Sequence, residues 1–154
     1  MKIINATLCY IQKNDKTLML HRVKKENDIH QDKWNGLGGK FESGESPEDC
    51  LLREVKEESG LTLTDFRLVG LLSFPKFDGL NDWQVFLYQA SDFKGNIIES
   101  EEGNLEWIAN KELLDLNLWP GDKIFLKWML EDRFFSAKFI YHNKELQDYS
   151  VKFY

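Results

Sequence analysis

The spacing of apolar and polar positions predicts a chain built mostly of strands, with two principal helices. Residues 3–11 are rich in apolar and β-branched types and read as a strand. Lys13-Asn14-Asp15-Lys16 reads as a turn, and residues 17–21 as a second strand that completes a hairpin. Residues 24–33 are polar and loop-like. Residues 34–39 hold three glycines in six positions, too many for a regular element. After a turn over residues 42–45, Ser46 and Pro47 supply an N-cap and a first-turn proline, and Asp49 sits where a capping-box acid would. They predict a helix over 47–59, with Leu51, Leu52 and Val55 on its apolar side and Gly60 as its stop.

Residues 66–74 and 83–90 read as longer strands joined by a loop over 75–82. Residues 95–104 are acidic and turn-like, 105–109 form a short strand, and 110–114 a helical turn. A second helix is predicted over 121–131, with Ile124, Leu126, Trp128 and Met129 supplying its apolar surface. Residues 134–141 and 149–153 alternate as a final hairpin. No repeat or linker divides the chain. The expectation is one domain over 1–154, of α+β or mixed α/β layers, with a strand order this pattern does not encode.

Composition narrows the classes. With 154 residues, 42% hydrophobic and 30% charged, the chain is globular in composition rather than disordered. A net charge of -6 weighs against a nucleic-acid duplex as a stable partner. It is compatible with a small phosphate substrate, because divalent ions neutralise carboxylates and phosphates together. Cys9 and Cys50 form no CxxC pattern and read as core thiols in a reducing compartment. No signal-like N-terminus and no apolar run of about 18 residues occurs, so a cytoplasmic monomer or homodimer, with no membrane association, is expected.

The candidate chemistry lies on the first helix. Offsets of three and four place Glu57 and Glu58 beside Glu54 on one flank. Spacing alone supports two readings equally: a solvated acidic face, or a site for a hard cation such as Mg2+ or Mn2+. Arg53 can pair with Glu45 and hold the preceding loop to the helix. Gly38 and Gly39 allow close backbone approach ahead of it. His21, His30 and His142 are scattered without the spacing of a zinc site.

The segment GKFESGESPEDCLLREVKEESGL, from Gly39 to Leu61, resembles the complete Nudix box. Gly39, Glu45, Arg53-Glu54-Val55, Glu57-Glu58 and Gly60-Leu61 fill every fixed position of that motif. The resemblance implies an α/β/α sandwich with a mixed sheet. It also implies Mg2+-dependent cleavage of a nucleoside diphosphate linked to a further group, with Mn2+ as a substitute. Glu54, Glu57 and Glu58 match the family's metal-binding acids, and Glu45 and Arg53 its supporting positions. Gly39 would bring its backbone close to a metal or phosphate.

Looser similarity to the MutT-type oxidised-purine nucleoside triphosphatases covers most of the chain. Residues 34–40, WNGLGGK, resemble the base-binding loop of that group, with Asn35 at the position that binds the base. Trp119 matches a tryptophan that stacks near the base, and Asp122 the second of two consecutive acids; Gly121 stands where the first acid would be. In Glu99-Ser100-Glu101-Glu102, Glu102 best matches a further acid that approaches the metals, with Glu101 as the alternative. Lys24 and Lys40 are weaker candidates for phosphate. The expected reaction is water attack on phosphorus, converting a purine nucleoside triphosphate, 8-oxo-dGTP foremost, to monophosphate and pyrophosphate. Glu57 or Glu58 would handle the proton. The alternatives are another nucleoside diphosphate derivative as substrate, or a non-catalytic nucleotide-binding module.

Overall fold

The computed structural model describes all 154 residues. The apolar N-terminal run forms one long strand, β1 (Ile3–Lys13). It turns back through Asn14 and Asp15, both at positive φ (55° and 60°), into β2 (Lys16–His21). Short polar side chains tolerate that left-handed region, and two such residues suit the twist of a tight hairpin. A two-residue strand, β3 (Trp34–Asn35), pairs with the end of β2.

Helix α1 (Pro47–Ser59) begins at a complete capping box, in which the Ser46 hydroxyl accepts from the Asp49 N–H and Asp49 accepts from the Ser46 N–H. It ends at Gly60, whose φ of 80° is left-handed. The remaining elements are β4 (Thr62–Phe74), β5 (Asp82–Lys94), β6 (Asn104–Ala109), a 3-10 turn (Asn110–Asp115), α2 (Pro120–Met129), β7 (Phe135–His142) and β8 (Glu145–Phe153).

The strands run in the order β3-β2-β1-β5-β4-β7-β8, with β6 also paired to β2. The β1–β5 and β4–β7 pairs are parallel and the other pairs antiparallel, so the sheet is mixed. Neighbouring residues on a strand point to opposite faces. Cys9, Ile11, Leu18, Leu20 and Tyr88 therefore join Leu51 and Val55 of α1 in one core. Tyr10, Met19 and Leu87 join Phe125, Leu126 and Met129 of α2 in the other. This is the expected sandwich, with a mixed sheet between helices. Leu51 and Val55 are fully buried; burial of such side chains is worth roughly 1.5–3 kcal/mol each.

Several elements depart from the apolar pattern. β4 starts at Thr62 and β5 extends to Lys94, because the ladder continues through polar pairs such as Thr62↔Lys94 and Asp65↔Asp92. β8 starts at Glu145, because Asn143 and Lys144 (φ 49° and 66°) close a tight turn. Helix α2 stops at Met129, two residues short of the expected end, with Leu130 and Glu131 in the turn beyond. No helix is long and apolar enough to cross a membrane.

Candidate active site

The glycine loop before α1 is bonded to β1 almost as a further strand. Thr7 N–H donates to Gly39 O at 2.9 Å, Cys9 and Leu37 exchange bonds of 2.6 and 2.9 Å, and Phe41 N–H donates to Asn5 O at 2.9 Å. Helix α1 packs on the same face, so its acids meet this loop. The Gly38 N–H donates to Glu58 Oε1 at 2.9 Å. At Gly39 a Cβ would lie 2.5 Å from the Glu54 carboxyl carbon, so only glycine lets that carboxylate rest against the loop.

Arg53 binds the acids together from the other side. Its guanidinium grips Glu45 through two bonds of 2.8 Å, donates to Lys40 O at 3.0 Å, and reaches Glu54 at 2.8 Å and Glu57 at 3.3 Å. Paired bonds of this kind are the strongest side-chain contacts available to a carboxylate. The Arg53 hydrogen bonds hold Glu45 down at about 2. Lys56 turns away and donates to Gly60 O at 3.2 Å, capping the helix end.

The three helix acids do not share one environment. Glu57 is 58% exposed at its side chain, whereas Glu58 is buried. Burial, and then the nearby charge of Glu102, push the Glu58 carboxyl well above its ordinary range. Burial likewise raises Glu54, against the pull of Arg53. Glu102 lies 3.3 Å from Lys25 Nζ and 3.9 Å from Arg22 Nη1.

Glu54, Glu58 and Glu102 line one cleft of about 690 Å³, together with Gly38, Gly39 and Lys40. No three acidic, histidine or cysteine side chains are drawn close enough to cage an ion, and Arg53 and the Gly38 N–H each bond one oxygen, of Glu54 and of Glu58. The donors are nonetheless all oxygens, from carboxylates and from a glycine backbone that no Cβ shields. That chemistry fits a hard divalent cation.

The cleft continues to a second group of residues: Asn35, Trp119 and Asp122, with His30, Phe77 and Tyr141. The Trp119 ring stands edge-on to Phe77 at 5.0 Å and to Tyr141 at 5.6 Å, and its Nε1–H donates to His30 Nδ1 at 2.9 Å. That bond puts the His30 proton on Nε2. Burial and Arg22 lower His30 to about 4, so the ring is neutral. Asp122 is buried, which raises its carboxyl to about 7; Lys33 opposes this only in part. Asn35 Oδ1 is buried without a protein partner.

Lys24 does not line the cleft. Its ammonium bonds Glu99 at 3.0 Å and Ser100 O at 2.7 Å, tying two loops together. Arg53, Glu45 and Glu57 also stand outside it. Lys40 lies at the rim with its ammonium 5.4 Å from the Trp83 ring centre. Sequence patterns single out neither Arg22, Phe77 nor Tyr141, and mark His30 only as a histidine without zinc-site spacing. They come from loops and a late strand; the aromatic content of the chain is the only signal for Phe77 and Tyr141, and Arg22 has none.

The NUDIX domain profile matches residues 2–129. The "Uncharacterized Nudix hydrolase YvcI" of Bacillus subtilis is 35% identical over 130 residues, covering 82% of this chain and 78% of that protein. The mouse "Oxidized purine nucleoside triphosphate hydrolase" is 31% identical over 121 residues, covering 78% of each chain. Among solved structures, a mutator MutT protein from Bacillus halodurans superposes with a TM-score of 0.85 at 32% identity, covering 96% of this chain and 97% of that one. With the profile spanning most of its length, the chain belongs to the Nudix hydrolase family.

Proposed function

We propose that this Nudix hydrolase converts a purine nucleoside triphosphate, 8-oxo-dGTP foremost, to the monophosphate and pyrophosphate. One observation carries the proposal. Glu54 and Glu58 of α1 and the group around Trp119, Asn35 and Asp122 line the same cleft, so a single ligand can reach both. An acidic, oxygen-rich wall suits a polyphosphate with its counter-ions. A wall with an indole, an amide and a buried carboxyl suits a purine. The mouse relative, an oxidised purine nucleoside triphosphate hydrolase, adds support.

Nudix hydrolases generally use divalent ions. Bound here, such an ion (Mg2+, with Mn2+ as substitute) would neutralise phosphate charge and acidify water. Glu54, Glu58 and Glu102, with the Gly39 backbone, are the groups that would hold it, and Glu57 would join by turning from Arg53. The protein's own part is positioning. Arg53 fixes Glu54 and Glu45 and so sets the acids against the glycine loop. Glu58 accepts one bond through Oε1, which leaves Oε2 to take a proton from an attacking water. Glu57 faces solvent, so Glu58 is the better of the two proton acceptors. Lys40, which lines the cleft, would meet a phosphate.

A second reading is favoured by Gly121, which stands where the oxidised-purine enzymes carry their first acid: another nucleoside diphosphate derivative as substrate. The test is a hydrolysis screen with Mg2+ and with Mn2+. It should cover 8-oxo-dGTP, dGTP, ATP, sugar nucleotides and dinucleoside polyphosphates, with products resolved by chromatography. The expected result is highest kcat/KM for an oxidised purine triphosphate, with pyrophosphate released. Preferred cleavage of a sugar or dinucleotide compound would establish the second reading; no turnover of any of them would overturn both.

A further inference from the structure

Gly121 is the second residue of α2, where a backbone N–H has no partner within the helix. Here that N–H donates to the Tyr141 hydroxyl at 2.7 Å. The two residues are also matched in shape. A Cβ on Gly121 would lie 2.7 Å from Tyr141 Oη and 2.9 Å from Phe139 Cδ1. No side chain, acidic or otherwise, fits at position 121 while Tyr141 keeps its place. The missing acid and the tyrosine are therefore one arrangement.

Tyr141 lines the cleft beside Asp122, with its ring against Trp119 and Phe77. Its oxygen already accepts one bond, from Gly121, while its O–H proton has no protein acceptor. Burial and the neighbouring Asp122 carboxyl keep that phenol protonated, well beyond physiological pH. It therefore offers a donor at every working pH, where a carboxyl would switch between donor and acceptor. The Asp122 carboxyl has no hydrogen bond within the protein, and in its ionised form it is free to accept an N–H. A fixed donor next to a carboxyl complements a ring carbonyl next to a ring N–H, the edge that a guanine-type base presents.

We propose that Tyr141 is a specificity-determining residue, whose hydroxyl, held by the Gly121 N–H, donates to the ring carbonyl oxygen of a 6-oxopurine while Asp122 accepts the adjacent ring N–H. This rests on the purine triphosphate reading above and narrows it to bases carrying that carbonyl.

The experiment measures binding of GMP and AMP by titration calorimetry, alongside hydrolysis of the matching triphosphates, for the wild type, Tyr141→Phe and Gly121→Ala. The wild type is expected to favour GMP by about tenfold or more, the scale of one or two well-made hydrogen bonds. Tyr141→Phe should reduce the GMP to AMP ratio by roughly three- to tenfold. Gly121→Ala, which keeps the phenol but pushes it away, should do the same. A merely structural role for Tyr141 would lower thermal stability and leave the ratio alone. If both variants fold, as judged by circular dichroism, and both keep the wild-type ratio, the proposal is overturned while the purine triphosphatase reading stands. If the wild type hydrolyses no purine triphosphate, that reading falls and takes this one with it.

Discussion

Replacing Glu58 by glutamine keeps an acceptor for the Gly38 N–H and removes a charge that burial and Glu102 oppose. For a carboxyl raised in the folded state, the stabilising contribution is complete below the unfolded value and is lost as pH climbs through the folded one. In chelator at pH 8, Glu58→Gln should therefore melt several degrees above the wild type, while hydrolysis falls by about a hundredfold or more. A lower melting temperature with retained activity would contradict both roles.

Asp122 gives the same sign with a defined window. Its folded value is about 7, against about 3.9 for a free aspartate. The stability gained by Asp122→Asn should grow from pH 4 to pH 7 and stay level above. Thermal melts across that range, compared with the wild type, read it directly.

At this scale the motif spacing located Glu54 and Glu58 on a helix that lines the cleft, and similarity located Asn35, Trp119 and Asp122. Tyr141 and His30 were illegible because their roles depend on partners 20 and 89 residues away. Gly121 was visible as a gap, but not what fills it.

Helix α1 was readable nearly to the residue, because its signals are local: a capping serine, a first-turn proline and a terminal glycine. Strand ends were less so. The first residues of β4 and the last of β5 are held by ladder bonds that place no demand on side-chain polarity, so an apolar pattern misses them. The loop before α1 offers the sharpest test at the scale of an element. Gly39→Ala would drive a methyl group into the Glu54 carboxylate without touching either core. The expected result is a modest change in melting temperature and a loss of hydrolysis of about tenfold or more, with KM for nucleotide changed less than kcat. Full activity in this variant would show that the loop and Glu54 need not meet so closely.

Over the whole molecule, the pattern of strands and two helices implied α and β layers, and the family resemblance a mixed sheet between helices, but neither implied the strand order. The decisive pairing joins β1 to β5, from Ile3↔Asp82 onward, and contacts so distant in sequence leave no local trace. This layering puts α1 and its acids over one face and α2 with Trp119 and Asp122 over the other, and the cleft draws on residues from both helices. A ligand spanning it stabilises the entire fold by mass action. Mg2+ with a slowly cleaved triphosphate analogue should raise the melting temperature progressively with ligand concentration. Glu54→Gln should abolish the Mg2+-dependent part of the rise, and an unchanged shift would remove Glu54 from ion binding.

The backbone bonds that fasten residues 37–41 to β1 also bear on how quickly a nucleotide is captured. A segment already immobilised as an extra strand has no disorder left to surrender when its guest arrives. Association should thus follow a single phase whose rate is proportional to nucleotide concentration, limited by encounter rather than by rearrangement.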